Sequence, residues 1–119
     1  VSIEAGEIAA FLARWDAARA QVCPQAGSHV FGHLGDCNLH VCLSVTPDEA
    51  RDHAAIDRAF YGAVAATPAA SFSAEHGIGL TKRAELAQRK PPAMLAAMRV
   101  VKAALDPAGI MNPGAVLRA

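Results

Sequence analysis

The chain has 119 residues, enough for one domain that buries well over half of the surface its unfolded form exposes. Apolar residues make up 53%, alanine prominent among them, and only 5% are aromatic; this excludes a disordered chain and suits a soluble, globular packing of small-residue helices against a sheet. Basic and acidic residues number 11 each, so no net positive field draws the chain to nucleic acid or anionic lipid, and no apolar run approaches the roughly 18 residues of a membrane span.

Val1-Ser2-Ile3 reads as the tail of a strand without a starting methionine, and the two glutamates that follow leave no basic leader, so we expect a piece of a longer protein with no signal peptide or anchor. Ile8, Phe11, Leu12, Trp15 and Val22 recur at helical spacing and predict a helix over residues 4–22. After Pro24 and Gly27, an extended stretch over residues 28–33, the turn Gly35-Asp36-Cys37-Asn38 and the alternation Leu39, Val41, Leu43, Val45 predict a hairpin. Thr46-Pro47-Asp48-Glu49 is a capping box with proline at the first helical position, opening a helix to about Ala66 that Thr67-Pro68 stops. Residues 71–75 are a short strand candidate.

The order β-α-β-β-α-β, its first strand truncated, is that of an α+β, ferredoxin-like split βαβ fold. A polar helical piece over residues 82–88 follows, then the Pro91-Pro92 break. Met94, Leu95, Met98, Val101 and Leu105 mark a last amphipathic helix whose methionines read as core. Asp-Pro-Ala-Gly and Asn-Pro-Gly turns close the chain. Cys23, Cys37 and Cys42 make neither a CxxC pair nor an even set, which points to a reducing compartment, the cytoplasm.

In such a sheet the end of the second strand, the start of the third and the end of the fourth lie at one edge. That edge gathers His33, His40, Glu75 and His76. Two imidazoles and a carboxylate suit a divalent cation at about 2 Å with positions left open for substrate. The alternation that buries Leu39, Val41, Leu43 and Val45 also turns His40 away from their core. A plainer account serves these residues too: the histidines bond turn carbonyls, Glu75 and His76 cap a loop, and Gly77 and Gly79 only permit positive φ.

The stretch Phe31-Gly32-His33-Leu34-Gly35-Asp36-Cys37-Asn38-Leu39-His40 resembles the FGHxGDGNxH signature of FAD-linked oxidases related to vanillyl-alcohol oxidase. Ser73-Ala74-Glu75-His76-Gly77-Ile78-Gly79 resembles that family's SxEHGIG segment. Residues 105–114, Leu-Asp-Pro through Asn-Pro-Gly, resemble its LDPxGIxNPGK ending. Within the family the pattern is similar to that of D-2-hydroxyglutarate and D-lactate dehydrogenases.

The resemblance implies metal ligands at His33, His40 and Glu75, with Zn or Mn as the cation, and an acid–base role at His76. It also implies FAD contacts at Asn112 and Gly114 and substrate contacts at Asn38, Cys42 and Lys82. The metal would hold the hydroxyl and carboxylate oxygens of a 2-hydroxyacid, and His76 would take the hydroxyl proton as hydride leaves for flavin. The chain then reads as a single domain over residues 1–119, the C-terminal part of a substrate or cap domain. The flavin domain's glycine-rich loop is missing from it, so the chain alone is expected to be inactive.

Three positions depart from the family pattern. Cys37 stands where glycine is usual, Cys42 stands where the hydroxyglutarate and lactate enzymes often carry a substrate-contacting asparagine, and Ala115 replaces a lysine. Cys42 also reads as a small buried strand residue. Two competing functions stay open: a flavin-independent metalloenzyme, and a non-catalytic ferredoxin-like module that forms a homodimer through its sheet. The electron acceptor is left unspecified.

Overall fold

The computed structural model describes residues 1–117, and the chain divides into two compact units, Val1–Glu75 and His76–Ala119. In the first, a 3-10 turn at Ala5–Glu7 leads into α1 (Ile8–Val22), then β1 (Gly27–His33) and β2 (Asn38–Ser44), then α2 (His53–Ala65). The hairpin is antiparallel, running from Gly27 opposite Ser44 to His33 opposite Asn38. Its connection is a 3-10 turn, Leu34–Asp36, closed by Cys37 at φ 54° in the left-handed region. That conformation costs an L side chain about 1 kcal/mol or more, which is why glycine suits this position of the family pattern.

Gly32 is required for a different reason. A Cβ there would lie 2.0 Å from the carbonyl oxygen of Asn38, so the two strands approach this closely only past a glycine.

The sheet reaches beyond the hairpin through single bridges. Ser2 bridges antiparallel to both Asn38 and Ser71. Ile3 N donates to Cys37 O at 2.8 Å, Leu39 N to Val1 O at 2.9 Å, and Ser71 N to Ser2 O at 2.9 Å. The spatial order is therefore the Ser71 segment, Val1 to Ile3, β2, β1, in the arrangement of a split βαβ sheet. The mixed α+β architecture agrees with the expectation. The fourth strand, expected over residues 71–75, contracts to its first residue because Ser71 Oγ donates to Ser73 O and accepts from Ser73 N, curling the chain.

α1 and α2 pack on each other, and α1 reaches β1. Ile3, Phe11, Trp15 and Cys23 are fully buried. Trp15 meets Phe60 edge to face at 5.1 Å, joining α1 to α2, while its Nε1 donates to Ser28 Oγ on β1 at 3.1 Å. Burial, with Glu49 nearby, pushes the Cys23 thiol pKa up.

The capping box forms as expected: Thr46 N donates to Glu49 Oε2 at 3.1 Å and Glu49 N to Thr46 Oγ1 at 3.3 Å. It opens only a 3-10 turn, Glu49–Asp52. The α-helix proper begins at His53, where Asp52 caps the chain by accepting from Ala55 N at 2.9 Å.

The second unit contains α3 (Arg83–Arg89) and α4 (Pro92–Leu105), with proline in the first turn of α4. Leu86 and Leu95 are buried; Met94 is half exposed and Met98 only partly covered, so the methionines are not core. They line a pocket of about 590 Å³ with Val101, Leu105 and Met111. The loop after α4 is held by the buried Asp106, which accepts from Lys102 Nζ at 2.5 Å, Ile110 N at 2.9 Å and Met111 N at 3.0 Å. Among the described residues no helix is long and apolar enough to cross a membrane.

Candidate metal centre

Residues opposite one another in an antiparallel pair share a face, and successive residues alternate. Ser28, Val30, Leu39, Val41 and Leu43 therefore share the face from which Ser28 reaches Trp15. His29, Phe31, His33, Asn38, His40 and Cys42 share the other. The first face carries the apolar residues, of which Leu39 is buried, Val41 and Leu43 partly covered and Val30 exposed; the second carries the polar and aromatic ones, of which Asn38 is buried.

On that second face His40 is paired with Phe31, and their rings stack with planes 8° apart and centroids 5.2 Å apart. The Nε2 of His40 lies 3.3 Å from Oε2 of Glu75. The same carboxylate oxygen accepts a 3.0 Å hydrogen bond from Nδ2 of Asn38. Asn38 is buried whereas the Glu75 side chain is 57% exposed, so the carboxylate is gripped from the protein side and open toward solvent.

His40 and Glu75 each present a metal-ligating atom here. The observed 3.3 Å is the length of a His–Glu ion pair and also about the separation of two ligands held 2.0–2.1 Å from one tetrahedral cation, so the pair is compatible with either. His33 lines a polar pocket of about 530 Å³ together with Glu75, Asn38, Asp36, Ser2 and Ser73. His40 and Glu75 are thus in direct reach of each other, whereas His33 shares a pocket with Glu75 but is not among the described residues whose ligating atoms gather within 4.8 Å of one another.

The other expected residues have varied surroundings. Cys42 is exposed, opposite His29 on the face that carries His40, rather than buried as a small strand residue. Glu75 closes the first unit; His76, which opens the second, is exposed. Lys82 precedes α3 and is partly covered. Asn112 and Gly114 both take left-handed backbone, φ 48° and 74°, and the Gly114 carbonyl accepts from Arg83 Nη1 at 2.5 Å.

Sequence reading missed three contributors. The amide of Asn38, assigned to substrate, meets Glu75 across 37 residues, a separation no local pattern reveals. The Phe31 stack follows from cross-strand register, which the hairpin alternation could have supplied. Asp106 lies inside the closing motif, where its three donors mark a structural hub.

Comparison with known proteins gives the chain its family. Residues 1–116 match the model described as FAD linked oxidases, C-terminal domain. A D-2-hydroxyglutarate dehydrogenase of Stutzerimonas stutzeri (strain A1501) is 38% identical over 130 residues, covering 100% of this chain and 26% of that protein. The mitochondrial D-2-hydroxyglutarate dehydrogenase of Bos taurus is 43% identical over 104 residues, covering 80% and 18%. A Danio rerio protein named as a probable mitochondrial D-lactate dehydrogenase is 38% identical over 92 residues, covering 74% and 18%. The chain spans about a quarter or less of the length of these relatives. With the family match over nearly all of its length, the chain belongs to the C-terminal domain family of the FAD-linked oxidases.

Proposed function

We propose that the chain is the substrate- and metal-binding C-terminal part of an FAD-dependent dehydrogenase that oxidises a D-2-hydroxy acid to a 2-oxo acid. The approach of His40 Nε2 to Glu75 Oε2, at the separation of two ligands of one cation, carries this reading. His33, lining the pocket that Glu75 also lines, is the third ligand in our reading. Zn fits the tetrahedral spacing; Mn is the alternative.

When bound, flavin supplies a hydride acceptor and the divalent cation supplies the Lewis acidity that lowers the substrate hydroxyl pKa. The chain's own residues supply orientation and proton handling. His33, His40 and Glu75 fix the cation at the sheet edge, and an imidazole nitrogen of His76 accepts the hydroxyl proton as the C2 hydride departs, leaving a carbonyl. Imidazole suits that step near neutral pH. Cys42 and Lys82 contact the substrate in this reading; the exposure of Cys42 on the His40 face supports its part. Asn112 and Gly114 face the flavin in this reading, and residues 1–119 by themselves, which span about a quarter or less of the relatives' length, are expected to be inactive. The cysteine pattern supports a reducing compartment, the cytoplasm in our reading, although several relatives are named as mitochondrial.

Elemental analysis and titration calorimetry with Zn and Mn test the proposal. We expect one ion per chain, and at least a hundredfold weaker binding in each of His33→Ala, His40→Ala and Glu75→Ala, on the order of what loss of a metal ligand or its support causes. Equal affinity in all three variants sinks it. The competing reading, a non-catalytic module dimerising through its sheet, draws on the exposure of β1 from His29 to His33. A stable dimer by sedimentation that takes up no metal favours that reading.

A further inference from the structure

We propose that Asn38 is a positioning residue: its buried amide clamps the Glu75 carboxylate in the orientation that meets His40, and it is not a substrate contact. The proposal rests on the reading of Glu75 as a metal ligand. Asn38 is anchored on both sides of its backbone. Its neighbour Leu39 donates to Val1 O at 2.9 Å, and its neighbour Cys37 accepts from Ile3 N at 2.8 Å. Ser2 bridges both Asn38 and Ser71, so the same short segment fixes β2 and the chain leading to Glu75.

From this rigid base Nδ2 donates to Glu75 Oε2 at 3.0 Å. A half-exposed glutamate has three side-chain torsions to fix, and a hydrogen bond from a buried, anchored amide restricts them. The clamped oxygen lies 3.3 Å from His40 Nε2. A carboxylate has lone pairs enough for an amide donor and a cation together, so the clamp does not compete with the ligand role. Residues that orient a ligand in this way commonly account for a 10–100-fold difference in metal affinity.

Two measurements on the intact chain test this. The first follows the side-chain amide signals of Asn38 in a 15N–1H spectrum as exposed Glu75 is changed to alanine. We expect a shift and faster exchange; unchanged signals overturn the proposal. The second is a Co2+ titration followed by visible absorption, comparing the wild-type chain with Asn38→Leu, which is similar in volume, suited to burial and unable to donate. Asn38→Ala takes its place if circular dichroism shows the leucine variant unfolded. We expect affinity to fall about 10–100-fold and the cobalt bands to change at saturation. A variant that melts earlier but binds Co2+ with wild-type affinity and spectrum would show Asn38 to be merely structural. If the wild-type chain takes up no Co2+ although the amide responds to Glu75→Ala, the ligand reading of Glu75 fails and takes the positioning role with it.

Discussion

In the first unit Ile3, Phe11, Trp15 and Cys23 lose all but a trace of their contact with water, whereas among the described residues of the second those buried are Leu86, Leu95 and the charged Asp106. One unit is ordered by apolar burial around aromatic rings; the other ties its last loop down with hydrogen bonds to a single carboxylate. Apolar packing is nearly indifferent to pH, while a carboxylate hub is not. The difference teaches where each unit is vulnerable: the first to changes of volume, the second to protonation.

The sharpest way to break the first unit is Gly32→Ala. A methyl group 2.0 Å from the Asn38 carbonyl forces β1 and β2 apart, and we expect a loss of more than about 3 kcal/mol in urea unfolding, at the upper end of overpacking effects. Metal binding should fall with it, because the displaced strand carries Asn38 and His40. Native-like stability in Gly32→Ala would mean the strands do not approach as closely as described.

Asp106 is the corresponding weak point of the second unit. The Lys102 ammonium bonded to it, then the Met111 and Ile110 amides, hold its carboxyl below the ordinary value of 3.8. The stabilisation is therefore fully present above that value and is lost as pH falls through the lower folded pKa. We expect the Ile110 and Met111 amides to lose hydrogen-exchange protection in that acid window, and Asp106→Asn to lose it already at neutral pH. Glu49 of the capping box, in the first unit, is also held low, chiefly by the Thr46 amide, so acid loosens the 3-10 turn Glu49–Asp52 that precedes α2. Trp15, held by the Phe60 ring and the Ser28 hydroxyl, should keep its buried fluorescence until the whole unit opens. Simultaneous loss of both signals would erase the contrast between the units.

The smallest effect expected is a gain. Cys37→Gly relieves the left-handed backbone at φ 54° and should stabilise the chain by about 1 kcal/mol, read as a higher urea midpoint with unchanged slope. No change would mean the turn relaxes around the cysteine.

Much of this was legible in the sequence where the signal is local. The alternation from Leu39 to Leu43 located β2 and turned His40 outward, and Thr46 to Glu49 announced a capping box that forms bond for bond. Illegible parts depend on distant partners. Asp52 captures Ala55 N and delays α2 to His53, Ser71 curls onto Ser73 and leaves the fourth strand one residue long, and the Asn38 amide meets Glu75 across 37 residues of chain. The spacing of Met94 and Met98 revealed an apolar stripe on α4 but not what covers it. Periodicity reports which residues share a face, not what that face meets.

The three thiols differ in accessibility, with Cys23 buried, Cys37 partly covered and Cys42 exposed. Cys42 lies two residues from His40 on the same strand face, about 7 Å along the chain. A sulfhydryl reagent would thus choose Cys42 first, so the native sequence carries an attachment point for a nitroxide or fluorophore beside the proposed cation. Occupancy by a paramagnetic ion could be watched from that position without engineering a new cysteine.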